Sequence, residues 1–273
     1  MTITGNSLPL LIDKGNADLD YSCSVNGGPT HVIGAIRLKG DQSHLAMNAS
    51  GIEVNAQMPR ILPLLNPIFH VSQRGTVEGK ANLDVDADWD GPLLVNQEAD
   101  VAGTADFIQA VNQNLSAEGT FSADDLLIKN SPLVAELLDE LVSTTNRRQL
   151  GRIEPTRFKL TDGVVAYENM VVYLGGARFV FSGSISTDET MKMRVEAPLP
   201  VRFFEHDESL AKYLDPTIVI PLTGTISKPK LDVKEAIKVA FAIAVEKAAK
   251  NVIKDEVLKQ GLDLFEEMFK RSR

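Results

Sequence analysis

Few residues in this chain have both the type and the spacing that chemistry needs. Its four histidines, His31, His44, His70 and His206, are scattered, and no two stand at the i, i+4 spacing that puts two imidazoles on one helix face. The single cysteine, Cys23, excludes an intramolecular disulfide and a cysteine-based zinc site, and it says nothing about redox compartment. Asp84, Asp86, Asp88 and Asp90 run into Gly91 like the start of a calcium loop. An EF-hand wants Gly at its sixth position and a bidentate acid at its twelfth, where this chain has Trp89 and Val95. The acids alternate with Leu83, Val85 and Ala87, which makes them the wet face of a strand. There is no G-x-S-x-G elbow, no Walker A sequence and no G-x-G-x-x-G between strand and helix. Glu168, Glu189 and Glu196 have no partner that the sequence can name. These residues predict no catalytic centre, no metal site and no cofactor.

The elements that would carry any site are mostly short strands. Residues 157–226 are the clearest stretch: Phe158 and Leu160, the turn Thr161-Asp162-Gly163, then Val165 and Tyr167. A break at Glu168-Asn169 leads into 170–174, and Gly175-Gly176 breaks the run again. Ala177, Phe179, Phe181, Gly183 and Ile185 then share a face, and Met191, Met193 and Val195 repeat the pattern against Lys192, Arg194 and Glu196. Side chains alternate across a strand, so each run has one apolar and one polar face. Turn residues at short intervals make the stretch an antiparallel meander.

Upstream, 8–12, 19–25, 32–38, 45–49 and 52–56 read as strands, with breaks at Gly15-Asn16, Gly27-Gly28-Pro29, Gly40-Asp41 and Ser50-Gly51. Residues 58–67 hold three prolines and five large apolar residues, which suits a helical turn or apolar plug and not a ladder strand. Strands follow at 75–89 and 116–129, with a short helix expected at 107–112. Ser131-Pro132 reads as an N-cap and first helical position, opening a helix to about 145 striped by Leu133, Leu137, Leu138 and Leu141. A short helix is expected at 206–214 and a last strand at 217–226. Asp232 then caps a helical pattern reaching about Lys270, which unbroken would be about 57 Å long. Gly261 weakens it by about 1 kcal/mol relative to Ala.

At 273 residues the chain can bury a large core, as one β domain or two. Its net charge of −9 argues against nucleic acid as a partner. From Lys228 onward, 11 Lys and Arg face 8 Asp and Glu, so that tail is +3 and residues 1–227 carry −12. The first dozen residues lack a basic region and a long apolar core, so no signal peptide is read there. The apolar run 239–245 falls far short of the roughly 20 residues of a membrane span. Strand-like text directly after Met1 suggests the C-terminal part of a longer protein. Three readings of the terminal helix stay open. It packs over the apolar face of the sheet, lies on a membrane surface through Lys234, Lys238, Lys247, Lys250, Lys254 and Lys259, or joins a coiled coil. Interleaved Glu235, Glu246, Asp255, Glu256 and Asp263 weaken the second.

The second half resembles the C-terminal region of the AsmA-like family of bacterial envelope proteins. The resemblance rests on GRIEPTRFKLTDGVVAYENMVVYLGGARFVFSGSIS (151–186) and IPLTGTISKPKLD (220–232), with SAEGTFSADDLLIKNS (116–131) as lead-in. It covers roughly residues 115–270; the first hundred residues share only the strand rhythm. It implies a long curved sheet with an apolar inner groove, facing the periplasm and anchored in the inner membrane in the full-length protein. It also implies a non-enzymatic role in phospholipid transport and outer-membrane integrity, with phospholipid acyl chains and the bacterial membrane as partners.

The expected fold is α+β and mainly β: an extended curved antiparallel sheet, an open groove or half-barrel, with short helical interruptions and a long C-terminal helix. Residues 1–114 continue the sheet of 115–232, and 233–273 form the amphipathic helix. Phe158, Phe179, Phe181, Met191, Met193, Ile218 and Ile220 are the candidates for lining an acyl-chain groove. The same residues suit a dry core under the long helix equally well. A second function class is a structural or assembly factor that pairs its strand edges with outer-membrane β proteins.

Overall fold

Alternation broken by turn pairs folds the chain into strand after strand. The computed structural model describes residues 3–5, 11–13, 16–37, 42–54, 61–72, 75–90, 114–141, 148–199 and 213–250. The strands are β1 (Ile3–Gly5), β2 (Leu11–Asp13), β3 (Asn16–Val25), β4 (Gly28–Arg37), β5 (Ser43–Val54), β6 (Thr76–Trp89) and β7 (Leu115–Lys129). There follow β8 (Arg148–Thr161), β9 (Val164–Leu174), β10 (Ala177–Ser186), β11 (Thr190–Pro198), β12 (Thr217–Thr225) and β13 (Lys228–Leu231). They form one sheet of 13 strands in which β3 to β13 are neighbours in chain order and β1 and β2 both pair with β3. Each pairing is antiparallel, and the sheet is open, with β13 at one edge. The sheet passes from β6 to β7 without a break, pairing Thr76 with Lys129 at one end and Trp89 with Leu115 at the other.

Among the hairpins that close through two-residue turns are those at Asn26-Gly27, Asp162-Gly163 and Gly175-Gly176. Both residues of each turn have positive φ, for example 51° and 70° at Asp162-Gly163. That conformation matches the right-handed twist of the flanking strands and favours Asn, Asp and Gly. Elsewhere a left-handed residue bends a strand without ending it. Ser50-Gly51 and Glu168-Asn169 are not breaks, as the residue pattern suggested, but bulges inside β5 and β9, where the register shifts. The Asn169 N–H donates to Ser182 Oγ at 3.0 Å, so the second bulge is tied to the neighbouring strand. Gly28 and Pro29 belong to β4 and not to the turn before it. The edge strand β13 was not expected; Lys and Pro within it hide the strand pattern, and both suit an edge. The expected element at 107–112, all of the one at 206–214 except residues 213–214, which form a turn, and the helical pattern beyond Lys250 lie outside the described residues.

Among the described residues, three helices and a 3₁₀ turn lie on the apolar side: α1 (Ile61–Leu65), the turn Pro67–Phe69, α2 (Pro132–Leu141) and α3 (Val233–Lys250). The described part of the proline-rich segment thus forms the helical turn and buries residues 65–69 as a plug, in keeping with its composition. Ile68 and Phe69 enter the core, and Phe69 meets Phe121 edge-on with ring centroids 5.9 Å apart. Asn66 holds the plug in place: its Oδ1 accepts from the Ile68 N–H at 3.0 Å and its Nδ2 donates to Met170 Sδ at 3.1 Å. Ser131 accepts the first helical bond of α2 through its carbonyl, from Ala135, while its buried hydroxyl makes no bond among the described residues. Asp232 does cap α3, accepting the Glu235 N–H at 2.9 Å. From α3, Val233, Ile237, Phe241 and Ala244 join the same core, and the helix packs on β12.

Candidate functional site

Strand register assembles what the sequence leaves scattered. One row of cross-strand partners starts at Tyr21 and runs through Val32, Met47, Val85, Gly119 and Phe158. It continues through Tyr167, Gly183, Met193 and Leu222 to Leu231. The next row on the same face runs Leu19, Gly34, Leu45, Ala87, Ala117, Leu160, then Val165, Ile185, Met191, Gly224 and Pro229. Neither row contains a charged residue. At the usual spacing of neighbouring strands, a stripe from β3 to β13 is about 48 Å long.

The stripe differs from end to end. From β8 to β12 it is closed: Phe158, Tyr167, Met193, Leu222, Val165, Ile185 and Met191 are buried. In β3–β6 its large side chains, Leu19, Tyr21, Val32, Leu45, Met47 and Val85, are only partly buried. All seven groove candidates fall at the closed end. Phe158, Phe179, Phe181, Met191, Met193, Ile218 and Ile220 share one core with the helices, and none exceeds 8% exposure. The structure therefore brings the seven together as packed interior. The open end is made by residues that the sequence reading did not single out. At one corner of it, among the described residues, the buried indole N–H of Trp89 has no acceptor.

The opposite face is polar and sorted by charge. Asp20, Asp86 and Glu118 occupy one end of the adjoining row, and Lys159, Lys192 and Lys230 the other. A hollow of about 1140 Å³ opens on this face across β6–β11, with Asp84, Asp86 and Glu118 on one side and Arg157, Lys192 and Arg194 on the other. The resemblance implied an apolar inner groove, whereas this hollow suits polar or charged groups. Two imidazoles sit among the acids. His31 Nε2 lies 2.8 Å from Asp20, and His44 Nδ1 lies 3.0 Å from Asp88 and 3.4 Å from Asp86. His44, Asp86 and Asp88 thus offer three converging donor atoms, which could hold a metal ion. No sequence spacing reveals this, because residues 44 and 88 meet only through the β5–β6 register.

Among the described residues, two groups are shifted from their ordinary ranges. Burial pushes the Tyr167 phenol far up, and among the described residues its hydroxyl has the Met193 sulfur, 3.9 Å away, as its one partner. Asp188 is held below the usual carboxylate range because the Thr190 hydroxyl and N–H both donate to its Oδ1, at 2.6 and 2.9 Å. Tyr167 is packing and Asp188 is a turn, so neither marks a reacting centre.

Comparison of the chain with protein-family models, with curated proteins and with solved structures finds no match.

Proposed function

We propose that this chain is a non-enzymatic, lipid-handling protein of the bacterial envelope, with an apolar stripe that shelters phospholipid acyl chains. The observation that carries the reading is the pair of uncharged register rows crossing β3–β13. An acyl chain needs a continuous apolar path and few polar groups. Each methylene taken from water stabilises the complex by about 0.8 kcal/mol. The partly buried end at Leu19, Val32, Met47 and Val85 is where chains enter. On this reading the protein works as AsmA-like proteins do. It acts from the periplasm, held at the inner membrane in its full-length form, passing phospholipid between membranes and so supporting the outer membrane. The helices α1, α2 and α3 stopper the far end of the path.

The rival reading is an assembly factor that lends a strand edge to other β proteins. The β13 edge argues against it, since Lys228, Pro229 and Lys230 blunt it against pairing. Favouring it, β13 reaches only Leu222–Thr225 of β12, and Val219, just beyond, is 56% exposed.

Native mass spectrometry with lipid extraction, on protein purified gently from a bacterial envelope, separates the two. The lipid reading expects a bound phospholipid that is lost in Met47→Asp and Val85→Asp while circular dichroism stays unchanged. A clean lipid-free mass for the folded wild type overturns it and leaves the strand-edge reading.

A further inference from the structure

We propose that His44, Asp86 and Asp88 form a binding site for a zinc-class divalent cation, clipping β5 to β6. The site lies on the polar face, so it stands or falls independently of the lipid reading.

The argument starts from one nitrogen and two carboxylates. His44 Nδ1 is 3.0 Å from Asp88 Oδ1 and 3.4 Å from Asp86 Oδ1. A single imidazole N–H can satisfy only one of these oxygens, and the second carboxylate stays beside the first without a counter-charge. Neighbouring ligands of a tetrahedral zinc ion, each about 2.0–2.1 Å from the metal, stand about 3.3 Å apart. His44 Nδ1 already stands at nearly that separation from each carboxylate, and all three donors lie within 4.8 Å of one another, so a cation can sit between them with modest rearrangement.

The scaffold is rigid for a simple reason. His44 and Asp88 are direct partners in the β5–β6 ladder, and Asp86 projects from the same face two residues along. Backbone hydrogen bonds hold all three in place, with no loop to order on binding. The surroundings favour a cation further. Asp84 and Glu118 share the face, and among the described residues none of these four acids pairs with Lys or Arg. All three ligands keep solvent access, with side-chain exposures of 48–56%, which leaves the remaining coordination positions to water or another ligand.

The donor set selects the metal. One imidazole and two carboxylates suit zinc, cobalt or nickel. Calcium demands six to eight oxygens and magnesium a hydrated oxygen octahedron, so neither is matched. Among the described residues, a second exposed imidazole, His31, meets the single acid Asp20 and serves as the internal control.

The test is calorimetric titration of the chelator-treated full chain with zinc chloride, repeated in excess magnesium chloride. The expected result is one zinc per chain with micromolar affinity, undisturbed by magnesium, and a zinc-dependent rise in melting temperature. Changes to groups that merely orient a ligand cost about tenfold in affinity, so His44→Asn weakens binding by more than that. Asp88→Asn does the same, and His31→Asn leaves binding unchanged. These side chains are exposed, and circular dichroism checks that the variants keep the fold. No zinc binding by the folded wild type overturns the site. So does binding that survives both His44→Asn and Asp88→Asn.

Discussion

The two ends of the apolar stripe use the same backbone and the same residue chemistry, and they end in different states. In β8–β12 the stripe lies in one core with α1, α2 and α3, and its phenylalanines and methionines are shut away. In β3–β6 the same rows continue through Met47, Val32 and Tyr21, and the side chains remain partly exposed. A sheet gives every strand an apolar face, but closing that face requires a second layer. Helical segments supply the layer at one end, so that end is stability. At the other end the apolar face keeps contact with water, and under the proposed lipid reading that is the end a ligand enters.

The largest expected effect tests this contrast directly. Phe181→Ala at the closed end is expected to cost about 3–5 kcal/mol in urea unfolding, because a fully buried ring leaves a cavity. Met47→Ala at the open end is expected to cost about 1 kcal/mol, since much of its side chain is not removed from water. Equal losses would mean that the two ends are equally closed, and the contrast would fail.

A smaller effect sharpens the role of α3. Asp232→Ala removes the acceptor of the Glu235 N–H and is expected to cost about 1 kcal/mol. Because α3 packs on β12, hydrogen exchange should quicken first in 233–250 and then in β12. Faster exchange in β3–β6 instead would show that the cover and the open end are coupled.

The smallest effect is local. Hydrogen bonds from Thr190 favour the ionised form of Asp188, so its folded pKa is lowered. The stability this contributes is present above the ordinary Asp range, near about 4, and is lost as pH falls through the folded pKa. A carboxyl NMR titration should find Asp188 titrating below that range, and Thr190→Val should move it back up. An unchanged titration in Thr190→Val would show that the hydroxyl does not hold it.

Much of the architecture was legible beforehand because its causes are local. Alternation marks strands, Asp162-Gly163 and Gly175-Gly176 mark turns, Asp232 marks a helix start, and the prolines before Phe69 mark a segment that cannot join a ladder. Some local signals misled for an equally local reason. Ser50-Gly51 and Glu168-Asn169 have turn chemistry, but sheet neighbours on both sides carry the strand through as a bulge. The seven groove candidates were correctly placed on one face, and periodicity had no means of telling a sealed face from an open one. That depends on which helix lies over which strand.

By itself, then, the sequence determined most of the strands and their turns, the helix cap and the polarity of each face, because these follow from residues a few positions apart. The tertiary structure alone decided the rest. Pairing β5 with β6 sets His44 against Asp88 and Asp86, 44 residues away in the case of Asp88. The same ladder aligns Tyr21 through Leu231 into one uncharged row. A one-residue slip in any pairing would turn a strand's apolar side chains to the other face and break both arrangements.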